Sequence, residues 1–150
     1  MEKKQTSGEI QKIFKLKQRI KIGADWFYWI AGLSVVNSAI FVFGGGVRFI
    51  VGLGVTQLAE SMLSPIGNIG LIISFGFTLI TAIVFIVIGI FARQNSIWAF
   101  LFGLVLYLID TFIFIVFTDI FAILFHIFAL VQIFMGMNAC KNLRDLNNNH

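Results

Sequence analysis

Asp110, Asp119 and His126 are the residues of this chain best placed to do chemistry, because each lies in or at the edge of a long apolar run. An ionisable side chain at the centre of a bilayer costs about 2.5–3.5 kcal/mol on insertion scales, so one that is kept there marks a functional candidate. Polar contacts between membrane helices return about 0.6 kcal/mol on average and roughly 1.7 kcal/mol at most, so stability alone is a poor reason to keep several. A carboxylate beside an imidazole suits three uses. The first is binding a proton or another cation, as Asp and His do in membrane proton pathways. The second is a metal centre: with Glu60 or Asp119 as a further ligand, Asp110 and His126 form a mixed nitrogen and oxygen set that suits zinc and, less selectively, manganese or iron. A divalent metal is therefore a candidate cofactor, although the HExxH spacing of the metalloproteases is absent. The third is general acid–base catalysis by a hydrolase or transferase acting on a lipid-linked or membrane substrate. Ser34, Ser38 and Ser61 have no activating motif around them, so any such hydrolysis would use metal-activated water.

Depth brings these residues together. The turn between the last two apolar runs falls near Thr118 and Asp119, with Asp110 eight residues before Thr118 and His126 eight after it. In an antiparallel helical pair both then lie about 12 Å from the turn. Asn37 lies at roughly 10 Å from its own helix end by the same rise. Asp119 and His126, seven apart, share a helix face, and Tyr107 lies three residues before Asp110. Thr56, Gln57 and Glu60 come from a short segment at the same end. The expected pocket has Asp110, His126, Glu60 and Asp119 as its cation, proton or metal ligands, with Asn37, Gln57 and Tyr107 as polar lining. Asp119 has a competing structural role as N-cap of the last helix.

These residues need an all-α scaffold of four transmembrane helices. The spans are expected over about residues 25–43, 66–92, 96–117 and 120–139, each near the length of roughly 20 residues that crosses a bilayer. Residues 1–23 form a basic segment whose capping-box pattern at Thr6 and Glu9 predicts an amphipathic helix over residues 6–22, lying on the membrane surface or continuing into span 1. The run Trp26-Phe27-Tyr28-Trp29 reads as an interfacial belt, with Trp98 as a second anchor. Residues 47–63 carry Arg48 and Glu60 and are too short for a span, so they read as a re-entrant or interfacial half-helix. Gly70, Ser74, Thr78 and Ala82 repeat at four-residue spacing, a small-residue stripe for close helix packing. Residues 141–150 read as a polar, disordered tail. The glycines at 44–46, 52 and 54 lack the context of a phosphate loop.

Composition agrees with a membrane protein. Of 150 residues 59% are hydrophobic and only 12% are charged, and the mean hydropathy is +0.95. Seven of the eleven basic residues precede residue 22. Next to a membrane span, that block suits anionic lipid, and no nucleic acid is expected as a partner. With four spans, Arg93, Lys141 and Arg144 join it on one side and only Arg48 falls on the other, so both termini are expected to be cytoplasmic. Cys140 is the sole cysteine, which excludes an intrachain disulfide; at a span end it is a small apolar residue or an acylation site. The sequence thus points to a buried outer-leaflet acidic and histidine site used in transport or sensing, in a homo-oligomer or membrane complex. The competing readings are a metal-dependent intramembrane enzyme and a non-catalytic assembly subunit.

Overall fold

The computed structural model describes residues 2–44, 52–117 and 119–148, with the side chains of all of them except residues 2–7, 116 and 117. It is all-α: helix α1 (Glu2–Val42), a short α2 (Gly54–Leu63) leading into a single 3-10 turn (Ser64–Ile66), α3 (Asn68–Arg93), α4 (Ile97–Phe117) and α5 (Ile120–Asn148). Four of these helices are long and apolar enough to cross a membrane. α1, α3, α4 and α5 alternate in direction, so both termini emerge at one end of the bundle. α2 lies toward the other end, packed chiefly on α3 and also touching α1 and α4.

The side-chain distribution is the inverse of a water-soluble bundle. Ile72, Ile80, Phe102, Phe112 and Leu124 point outward, whereas Ser34, Ser38, Thr56, Ser74, Thr78, Asp110, Thr111 and His126 are buried. Lipid solvates the outer apolar surface, and the inner polar groups must find partners in protein. Hydroxyls do so locally: Ser34 donates to the Ile30 carbonyl at 2.8 Å, and Thr111 to that of Tyr107 at 2.8 Å. Gly70, Ser74, Thr78 and Ala82 are all buried on α3, and Thr78 Oγ1 lies 3.2 Å from Ser38 Oγ on α1.

The basic segment and span 1 are one unbroken helix. It starts at Glu2, so Thr6 lies inside it rather than at its N-cap position. The apolar residues of this stretch divide: Ile13, Leu16 and Ile20 turn toward the core, whereas Ile10 and Phe14 stay exposed. Their partner is α5, which does not fray into a disordered tail after residue 140. It remains helical through Asn148 because Leu143 is buried and Leu146 lines crevices with Ile13 and Leu16 of α1. Residues 47–51 of the expected half-helix, including Arg48, lie outside the described residues, as do Gly45, Gly46, Thr118 and His150.

Two close approaches fix the bundle. Where α1 crosses α5, a Cβ at Gly23 would sit 2.6 Å from Gly136 Cα, and one at Gly136 would sit 2.8 Å from Gly23 Cα and 2.9 Å from Phe100 Cε1. Backbone meets backbone there, so no side-chain rotation can relieve the clash. Gly136→Val should lower stability by about 1–3 kcal/mol, the usual range for overpacking. Thermal unfolding in detergent tests this: an unchanged melting temperature would contradict the crossing. Gly103 on α4 receives Phe27, whose Cε1 would lie 2.4 Å from an added Cβ. Phe27 is therefore the inward member of the aromatic run, while Trp29 faces outward. At the same end Arg93 Nε donates to Asp25 Oδ1 at 2.7 Å, and its guanidinium lies 4.8 Å from the centre of the Tyr28 ring. The Cys140 thiol is buried and donates to the Asn95 carbonyl at 2.9 Å. Acylation there would break that contact.

Candidate functional site

The two central helices meet as their matched depths require. His126 Nε2 on α5 lies 3.1 Å from Asp110 Oδ2 on α4. His126 is fully buried and Asp110 nearly so. The other ring nitrogen, Nδ1, lies 2.8 Å from the Ala122 carbonyl oxygen. A carbonyl can only accept, so Nδ1 carries a hydrogen. Nε2 faces a carboxylate oxygen, and without a proton between them two lone pairs would oppose each other. The pair therefore holds one proton more than a carboxylate beside a neutral imidazole, and its net charge is zero.

The surroundings favour negative charge on the carboxylate and positive charge on the imidazole. Asp110 Oδ2 accepts from Gly54 N at 2.8 Å, and Oδ1 accepts from Val55 N at 2.9 Å. These are the first two amides of α2, which have no acceptor within that helix. A negative charge at a helix N-terminus is favoured by the helix dipole as well. The Tyr107 ring stacks on the imidazole at 4.6 Å between centres and 14° between planes, with Phe114 also 4.6 Å away. Aromatic faces at this distance stabilise a cation. One carboxylate thus both faces the imidazole and caps a helix from a neighbouring span.

Two helices hold the start of α2. Besides the two bonds to Asp110, Leu53 N donates to Ser34 Oγ on α1 at 3.0 Å. Gly54 permits the approach to α4, since a Cβ there would sit 2.9 Å from Phe114 Cε2 and 3.1 Å from Ile113 Cβ.

Of the residues expected to line one pocket, Asp110, His126 and Tyr107 come together. Asp119 does not join them: its Oδ1 accepts from Ala122 N at 3.1 Å, so it caps α5. Glu60 is buried on α2, six residues beyond the amide that Asp110 holds, or about 9 Å along that helix. Asn37 packs beside Gly52 at the entrance to α2. Asn37 Oδ1 and Gln57 Nε2 are buried with no hydrogen-bond partner among the described residues. Among the described residues no three His, Cys, Asp or Glu side chains gather as a metal-ligand group. The groups that sequence reasoning missed are the backbone amides of Gly54 and Val55 and the aromatic cover from Phe114. Glycine in the first turn of a short helix was the available signal for the first of these.

Comparisons with protein-family models, with curated proteins and with solved structures find no match for this chain.

Proposed function

We propose that this multi-pass membrane protein is built around a single-proton site, the Asp110–His126 pair, and that loss or gain of that proton is read out through α2 as a step in transport or sensing. One observation carries the reading: the carboxylate that shares the proton also holds the first two amides of α2. Proton occupancy and helix docking therefore use the same oxygens. Among the described residues, a metal-dependent hydrolase would have Asp110 and His126 to draw on, with both Asp110 oxygens engaged by amides.

The protein is inserted with both termini in the cytoplasm, which puts the site in the outer leaflet. The basic residues of α1, Arg93, Lys141 and Arg144 then share the cytoplasmic end, as the positive-inside rule favours, and the basic block there contacts anionic lipid. Four helices rarely enclose a pathway alone, so transport by this site would involve an oligomer or a larger membrane complex.

The test is amide hydrogen exchange at Gly54 and Val55 in lipid nanodiscs, followed across a pH series and corrected for the intrinsic pH dependence of exchange. Removing the shared proton sets the bare Nε2 lone pair against Asp110 Oδ2 and drives that oxygen from its amide. Raising the pH should therefore weaken their protection by about tenfold, the equivalent of one net hydrogen bond. Asp110→Asn should show weak protection at every pH. Protection that is constant with pH in the wild type would sink the proton reading.

A further inference from the structure

We infer that the seam between α3 and α4 is a binding groove for a lipophilic cation, which competes with the proton for Asp110; this rests on the proton-site reading above and names the ligand that the site would take. Two open cavities run along the seam. One, of about 320 Å³, is bounded by Val55, Phe85, Ile109 and Asp110. The other, of about 400 Å³, extends from Val84 to Phe91 near the α3–α4 turn. Val84 borders both, so they form one groove. From Phe77 to Phe91 it covers about 21 Å of α3. Ile80, Ile83 and Ile109 at its rim are exposed, so the groove opens sideways toward lipid. Volumes of this size, apolar walls and a few fixed polar groups characterise small-molecule sites.

Charge selects the ligand. Among the described residues, Asp110 is the one ionisable side chain lining either cavity. A carboxylate offers about four acceptor directions, and Gly54, Val55 and His126 use three. A cation in the groove beside an imidazolium and a single carboxylate would leave one uncompensated positive charge in low dielectric, which is strongly disfavoured. Binding therefore releases the His126 Nε2 proton to solvent, Asp110 turns from the bare ring nitrogen toward the groove, and the cation takes the proton's place as counter-charge: one positive charge enters and one proton leaves. An anion has no such partner. The titratable groups facing Asp110 among the described residues are His126 on α5 and Tyr107, which stacks on it from α4. On α2, Glu60 lies about 9 Å along the helix. α1 and α3 bring only the hydroxyls of Ser34 and Thr81. Val55 belongs both to the groove wall and to the amides that Asp110 holds, so the ligand meets α2 directly.

The test is equilibrium binding of tetraphenylphosphonium to the full-length protein in nanodiscs, beside tetraphenylborate, an anion of the same shape. The expected result is saturable phosphonium binding that weakens on acidification, release of about one proton per cation, and borate binding weaker by at least about tenfold. Asp110→Asn should lose phosphonium binding by a similar factor. Ile109→Trp, at an exposed rim position, should do so by filling the groove, and it decides the matter if the Asn variant does not fold. Equal binding of the two ions, or phosphonium binding unaffected by Ile109→Trp, would overturn the assignment and leave a groove filled by lipid tails. If phosphonium fails to bind while the α2 amides still respond to pH, only the ligand class falls. If both responses are absent, the proton site falls with it.

Discussion

A single methyl group added at position 70 should unhook α2 from the bundle. A Cβ on Gly70 would lie 1.8 Å from the Leu63 carbonyl oxygen and 2.8 Å from its carbon. Both atoms are backbone, and they belong to the corner where α2 runs through its 3-10 turn into α3. The corner has little freedom to shift, because Gly67 occupies φ +80° and ψ −150°, a region open essentially to glycine alone. Gly70→Ala should therefore cost about 3 kcal/mol, the upper end for overpacking, with the loss concentrated in α2. Amide exchange would show it as lost protection at residues 54–63 with α4 and α5 unaffected. Protection spread evenly over all helices, or no change at all, would contradict the corner.

Removing the Asp110 side chain should produce the second large effect at the other end of α2. Asp110→Ala strands the amides of Gly54 and Val55 and takes the counter-charge from His126. Loss of a helix cap costs about 1–2 kcal/mol, and a buried unsatisfied amide about 1–3 kcal/mol. The imidazole can shed its proton, so no buried charge adds to this. A total near 3 kcal/mol is expected, measured by unfolding in detergent. Asp110→Asn keeps one acceptor oxygen and should recover part of it. A double-mutant cycle with His126→Ala should give a coupling of about 1–2 kcal/mol, near the upper range for polar pairs in membranes. Additive losses would mean that the two side chains do not interact.

The parts of this arrangement that follow from helical rise were legible in the sequence. Asp110 and His126 meet because a tight hairpin and a fixed 1.5 Å per residue leave little choice of depth. The role of Asp119 as a cap was legible for the same local reason. The attachment of Asp110 to α2 was not, because the amides it holds are backbone groups and leave no trace in side-chain pattern. Glu60 was placed in the pocket by its end of the membrane, and it is buried on α2, six residues beyond the first amide that Asp110 holds, about 9 Å by helical rise. The Gly23–Gly136 crossing was hidden too: each is a lone glycine in its own helix, and only their meeting gives them meaning. Phe27 could not be separated from its aromatic neighbours by composition. The helical tail was missed because the polar residues around Leu143 and Leu146 masked their spacing, and the partner face, Ile13 and Leu16, lies more than a hundred residues away.

The continuity of α1 has a mechanical consequence. Forty-one residues without a break make a rod of about 62 Å, roughly twice the hydrocarbon thickness of a bilayer. Ser34, which holds the entrance to α2, sits on the same rod as the basic residues near its start. The Gly23–Gly136 crossing lies between them and can serve as a fulcrum. A small change of tilt where α2 docks would then be carried, reversed and undiminished, to the lysine-rich arm. A sub-ångström event at a buried proton would become a displacement that a charged surface or a neighbouring molecule can detect.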